Sequence, residues 1–121
     1  PKYKPDHAVV YVYNATDRNG LARRVGQVLL ADGFQVLRRV NADERSEKTK
    51  VIGFAEDSPE VVLVRSYLPK AEFVADGRPD HSVDIILGDD FTELHNKPKK
   101  SVDLPDEKAC LPQEKPISTR E

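Results

Sequence analysis

The sequence predicts an α/β fold of the α+β kind: a two-layer sandwich in which a mixed sheet carries two helices on one face, ferredoxin-like or a close variant. Three observations predict it. Four short runs rich in β-branched and aromatic residues (AVVYVYN, FQVLRRV, TKVIGFA and SVDIIL) read as strands. Two segments between them repeat apolar residues at helical spacing. Two amphipathic helices in turn need a sheet face to cover. The element order is βαββα(β)β, which leaves the order of strands in the sheet open.

The first strand, Ala8 to Asn14, alternates: Val10 and Val12 share one face, and Val9, Tyr11 and Tyr13 the other. A helix follows from about Gly20 to Asp32, with Leu21, Val25, Val28 and Leu29 on one stripe and Arg23, Arg24 and Gln27 off it. Asn19 or Asp17 can accept its first amide hydrogens, and Gly33 suits a left-handed stop. The second strand, Phe34 to Val40, points Phe34, Val36 and Val40 inward. Arg38 breaks that face, which suggests an edge or a bulge. Asn41 to Lys48 is a polar loop, and Thr49 to Ala55 a third strand. Ser58-Pro59-Glu60 is a strong helix start: a cap, a proline in the first turn and an acid near the positive end of the dipole. That helix runs to about Leu68 over a stripe of Val61, Val64 and Leu68 and stops before Pro69. Ala71 to Val74 is a short strand, Asp76-Gly77 a turn, and Ser82 to Leu87 the last strand, after which Gly88 turns the chain.

The 121 residues suffice for one domain with a modest core. Residues 1–7 read as a linker end, 8–91 as the domain, and 92–121 as a largely disordered tail with local docking through Leu104 or Leu111 left open. That tail lacks aromatic residues, holds Pro98, Pro105, Pro112 and Pro116, and cannot offset its ordering cost by burial. The net charge of −2 does not favour nucleic acid as a partner. No run approaches the roughly 20 apolar residues of a membrane span, so contact with a membrane is expected only through a segment absent from this chain. Methionine is absent, even at position 1, which suits a domain excised from a larger protein. The lone Cys110 excludes an intrachain disulfide and a cysteine-based zinc cluster, which leaves an inert thiol or a pairing outside this chain.

The loop Asn14 to Gly20 leads from strand to helix, where free amides can hold an anion. It has one glycine and an aspartate, so neither a phosphate loop nor a dinucleotide fingerprint is present. Ligand contact and a structural turn both remain open. Asn14-Ala15-Thr16 also matches a glycosylation sequon. Pro-Asp-His occurs twice, at Pro5-Asp6-His7 and Pro79-Asp80-His81. The two pairs could form a metal or acid–base site only if the first and last strands ran parallel. A ferredoxin-like sheet sets them antiparallel, so both read as turns before strands. Asp89-Asp90 reads as a solvated turn, and His95 has no ligand-spaced partner. Arg23, Arg24, Arg38 and Arg39 could join in one basic patch suited to phosphate or carboxylate groups. No metal, cofactor or catalytic residue is expected.

Several pieces together resemble a known family. Val10-Tyr11-Val12-Tyr13-Asn14-Ala15-Thr16 with Asn19-Gly20-Leu21-Ala22 is similar to the opening V-x-V-x-N-G-T … G-L-A of the LytR C-terminal domain, LytR_C. Ala31-Asp32-Gly33-Phe34 with Val36, then Ser66-Tyr67-Leu68-Pro69, then Val83 to Phe91 (VDIILGDDF) continue the likeness in order and spacing. It covers Ala8 to Phe91, and Ala15 departs from the family's usual glycine.

The resemblance implies an extracytoplasmic module of the bacterial, mostly actinobacterial, cell envelope. Such a domain often follows a LytR-CpsA-Psr catalytic domain, which attaches phosphate-linked glycopolymers of arabinogalactan or teichoic-acid type to peptidoglycan. It also occurs alone behind a membrane anchor. It implies no catalytic residues here. The expectation is a non-catalytic accessory domain that binds cell-wall glycan or positions the LytR-CpsA-Psr domain, with protein–protein scaffolding as the alternative. Asn14, Thr16, Arg18, Asn19, Arg23 and Arg24 are the candidate ligand contacts.

Overall fold

The computed structural model describes residues 1–105. Its central sheet has five strands: β2 (Val9–Asn14), β3 (Gln35–Asn41), β4 (Lys50–Gly53), β5 (Glu72–Ala75) and β6 (Val83–Leu87). Their order is β3-β2-β6-β4-β5. Helices α1 (Leu21–Ala31) and α2 (Pro59–Arg65) cross from β2 to β3 and from β4 to β5, and each joined pair is parallel. The last strand, β6, lies between the two units, parallel to β2 and antiparallel to β4.

The two-layer sandwich is therefore present, with both helices on one face. The first and last predicted strands, expected to be antiparallel in a ferredoxin-like sheet, are instead parallel neighbours, with Val10 beside Val83 and Val12 beside Ile85. The chain allows this because the polar connection of residues 76–82 returns it to the end of the sheet where β2 also begins.

The core follows strand alternation. Val10, Val12, Val51, Val83, Ile85 and Leu87 are fully buried under Leu29, Val61 and Val64 of the helices. At about 25 cal/mol per Å² this buried apolar surface is the main stabilising contribution. On the other side of the sheet Tyr11, Tyr13, Ile52 and Ile86 are half-buried under no second layer of described residues.

Several local expectations are corrected. Leu37 is an extra residue in β3, because the register passes from Val10–Val36 to Tyr11–Arg38. Past that bulge the strand's alternation flips, so Val40 faces outward and is 41% exposed. On α1, Val28 is exposed, and Ala22 and Gly26 complete the buried stripe in its place. Arg39 lies so close over Gly26 that any side chain there would collide with its methylenes. The α1 N-cap is Gly20, left-handed at φ 78°, and no side chain caps it; the Asn19 or Asp17 cap is not made. Gly33 does take the left-handed stop, at φ 108°.

The ends of the chain differ most from expectation. Residues 1–7, read as a linker end, supply strand β1 (Lys2–Tyr3) and a turn of 3-10 helix, Pro5–His7. Residues 92–105, read from composition as part of a disordered tail, pass along α2 and supply β7 (Val102–Asp103), which pairs antiparallel with β1. The His95 and Lys99 amides donate to the Tyr67 carbonyl and Ser66 Oγ, both 2.9 Å. Tyr3, Leu94 and Val102 add half-buried apolar surface to the core, which a count of tail residues alone does not reveal. Because this strap covers α2, a second line of that helix and its C-terminal turn is buried: Glu60, Leu63 and Tyr67. Residues 106–121, with Cys110 and Leu111, lie outside the described residues.

Candidate functional site

The strands place one set of loops together. β2, β3 and β6 end, and β4 and β5 begin, on the same side of the sheet. The chain leaves β2 for β3 on one flank while β6 lies on the other.

Asn14 organises the first loop. Its Oδ1 accepts hydrogen bonds from the Thr16 amide (3.0 Å) and Thr16 hydroxyl (2.6 Å), and its Nδ2 donates to the Arg18 carbonyl (2.7 Å). Thr16 Oγ1 in turn accepts the Arg18 amide at 3.0 Å. The Arg18 guanidinium donates to the carbonyls of Phe91 (2.8 Å) and Gly88 (3.2 Å), tying the loop to the exit of β6. Asn14, Thr16 and Arg18 are thus committed to building the loop. Buried at 3% exposure with both amide atoms engaged, Asn14 is no glycan acceptor. Ala15 fills the place where the family pattern has glycine. It is buried, its amide donates to Leu87 and its carbonyl accepts from Ser46, so backbone closeness here serves β6 and the connection from β3 to β4.

Around this frame lies a depression of about 250 Å³ whose rim includes Asp17, Asn19, Asn41, Asp43, Glu44 and Arg45. Arg45 spans it, 3.9 Å from Asp17 and 3.3 Å from Asp89. Asn19, Asp43 and Glu44 are exposed and make no side-chain hydrogen bond or ion pair among the described residues. Residues 41–45 were read only as a polar loop; their place beside Asn19 follows from β2–β3 pairing, which carries Asn41 next to Asn14.

A second, larger depression of about 470 Å³ lies on the same side of the sheet, between residues 68–71 and residues 90–96. Asp90 and Thr49 form its fixed edge. Asp90 Oδ1 accepts from the Thr49 hydroxyl (2.7 Å) and amide (2.8 Å), and Thr49 Oγ1 accepts the Gly88 amide at 3.0 Å. The Thr49 hydroxyl, then its amide, hold the Asp90 carboxyl below the usual range. Asp89-Asp90, read as a solvated turn, is thus exposed but bonded to the β4 entrance.

The arginines do not form one patch. Arg38 and Arg39 are neighbours in β3 on opposite faces of the sheet. Arg23 and Arg24 are exposed on α1, while Arg18 is bound inside the loop.

The two Pro-Asp-His sequences do reach one end of the sheet, opposite the depressions. There His81 Nδ1 lies 2.8 Å from Glu60 Oε2, with Glu60 2% exposed, and Phe54 stacks on the imidazole at 4.4 Å. Asp80 accepts from the Ser82 amide and hydroxyl, and His7 Nδ1 accepts the Lys4 amide. Among the described residues no group of three or more His, Cys, Asp or Glu gathers to hold a metal ion. Glu60 was read only as a helix-start acid; one sign of its second role is its place among buried Val61, Leu63 and Val64.

No helix of the described residues is long and apolar enough to cross a membrane. The two helices are separated in sequence by β3 and β4, so they form no helix-turn-helix. No curated protein matches the chain. Among solved structures the chain is similar to the soluble domain of a conserved hypothetical secreted protein from Mycobacterium marinum, at 32% identity and a TM-score of 0.70, over 78% of this chain and 68% of that one. The family model described as LytR cell envelope-related transcriptional attenuator, LytR_C, matches residues 7–91. With that match over most of its length, and the same fold in a secreted relative, the chain belongs to the LytR_C family of cell-envelope-related domains.

Proposed function

We propose that this chain is a non-catalytic, extracytoplasmic module of the cell envelope that binds cell-wall glycan at the strand-end face. It would thereby assist a LytR-CpsA-Psr enzyme in attaching phosphate-linked glycopolymers to peptidoglycan. One observation carries the reading: a depression at the ends of β2 and β3 where Asn19, Asn41, Asp43 and Glu44 make no side-chain hydrogen bond or ion pair among the described residues. Sugar hydroxyls both donate and accept, so Asn19, Asn41, Asp43 and Glu44 offer the complementary groups. Three acids near one arginine disfavour a bare phosphate there. The secreted relative supports an extracytoplasmic location.

Titration of the chain with peptidoglycan fragments, followed by amide shifts, tests this. Shifts are expected in residues 14–19 and 41–45, weakening in Asn19→Ala with Asp43→Ala. Shifts confined to residues beyond 105 would remove the proposal.

A second reading, protein scaffolding, is favoured by the open sheet face. Tyr11, Tyr13, Ile52 and Ile86 lie half-buried there, with Val40 and Val74 at the margins 41% and 42% exposed. Binding of the purified LytR-CpsA-Psr domain that is lost in Tyr13→Lys but kept in Asn19→Ala would favour that reading instead.

A further inference from the structure

We infer that the two depressions are subsites of one cleft, which holds an internal stretch of a polysaccharide rather than a single terminal sugar. The inference rests on the glycan reading above. Both depressions lie on the same end of the sheet, one where β2 and β3 finish and the other where β5 begins. From β3 to β5 there are four interstrand spacings, about 19 Å at roughly 4.8 Å each. That span exceeds one sugar ring and suits a chain of them. The ground between is the turn of residues 88–91 with residues 46–48 alongside, joined by the Asp89 amide on the Ser46 carbonyl (2.9 Å) and the Asp90 amide on the Glu47 carbonyl (3.0 Å), and crossed by the Arg45–Asp89 pair at 3.3 Å.

The second depression has the chemistry of a pyranose site. A pyranose presents an apolar face of C–H groups and a rim of hydroxyls. The groove offers Leu68, Pro69 and Leu94 as an apolar wall and Lys70, Glu93 and Asn96 as a polar rim. Those three polar side chains make no hydrogen bond or ion pair among the described residues. The walls are held in place without a ligand, by the His95 amide on the Tyr67 carbonyl (2.9 Å) and the Phe91 amide on the Gly88 carbonyl (3.0 Å). The volume of about 470 Å³ lies within the range of small-ligand sites. The frame joining the subsites is rigid too, since Arg18 bonds both Gly88 and Phe91. Fixed geometry lets occupation of one subsite hold the next sugar at high effective concentration over the other.

The test compares a disaccharide and a hexasaccharide, both released from peptidoglycan glycan strands, on the full chain. Calorimetric titration is expected to show the hexasaccharide binding tighter by about tenfold or more. Amide shifts should appear in both residues 14–19 and residues 68–71. Lys70→Ala with Asn96→Ala, two exposed positions, should bring the hexasaccharide affinity down towards that of the disaccharide and remove the shifts in residues 68–71 while keeping those in residues 14–19. Equal affinity for the two lengths, or shifts at one depression alone, overturns the single cleft and leaves the glycan reading standing. No binding of either removes both.

Discussion

The two ends of the sheet carry the same kinds of residue and use them differently. Where β6 begins, the polar groups are paired with one another. His81 meets the buried Glu60, and Arg78 binds Asp76 (2.7 Å) and Asp84 (3.0 Å). Asp76 and then Asp84 push the Arg78 pKa up, and Arg78 holds the Asp76 carboxyl low. Nearby, burial first and the Glu60 charge second push the Tyr3 phenol up to about 12. Where β6 ends, an inner frame is paired (Asn14, Thr16, Arg18, Thr49 and Asp90) and Arg45 meets Asp17 and Asp89, while Asn19, Asn41, Asp43, Glu44, Lys70, Glu93 and Asn96 make no side-chain hydrogen bond or ion pair among the described residues. Polar residues that answer one another hold a fold; polar residues left facing water at a rigid edge are available to a ligand.

The largest effect that would test this contrast is at the paired end. His81→Ala leaves the Glu60 carboxylate buried without its imidazole and should cost about 1.5–3 kcal/mol in urea unfolding. Adding Glu60→Gln should recover part of it, since a neutral amide is cheaper to bury. A loss below about 0.5 kcal/mol would mean the pair is not what closes that end.

A smaller effect separates the frame from Asn19 at the other end. Arg18→Ala removes two bonds to carbonyls and should cost about 1–2 kcal/mol. Asn19→Ala, one residue on, should change stability by less than about 0.5 kcal/mol. Equal losses in thermal denaturation would erase the distinction between them.

The smallest effect is on pH. The Asp90 carboxyl titrates below its unfolded value of about 3.9 because Thr49 donates to its ionised form. Its contribution is therefore present above about pH 4 and lost as pH falls through the depressed folded value. Asp90 is exposed, so screening limits the effect to under about 1 kcal/mol. Asp90→Asn should show a flatter Tm against pH below about 4, and a Tm profile parallel to the parent's would refute the assignment.

Legibility in the sequence followed the range of the forces involved. Period-two and helical patterns located every strand of the main sheet and both helices, and Ser58-Pro59-Glu60 and Gly33 marked boundaries through local backbone chemistry. Alternation in SVDIIL showed which residues of β6 face the core, but not that β6 inserts beside β2, because register patterns do not name the neighbouring strand. The bulge at Leu37 was signalled by Arg38 on an apolar face, yet which later residues it turned outward needed the pairing itself. Arg18 stood among the candidate ligand contacts, and only the 70-residue reach to Gly88 shows it bound within the fold. The larger depression was invisible because its walls come from a helix end and from a segment whose composition suggested no order.

The β1–β7 pair has a mechanical consequence. The Leu104 amide donates to the Pro1 carbonyl at 3.0 Å, so residues 1 and 104 lie side by side on antiparallel strands. A pull between them peels that ribbon like a zip, one rung at a time, with the Lys2–Asp103 pair as its outer clasp. Force applied there would open the ribbon before it reached the five-stranded sheet.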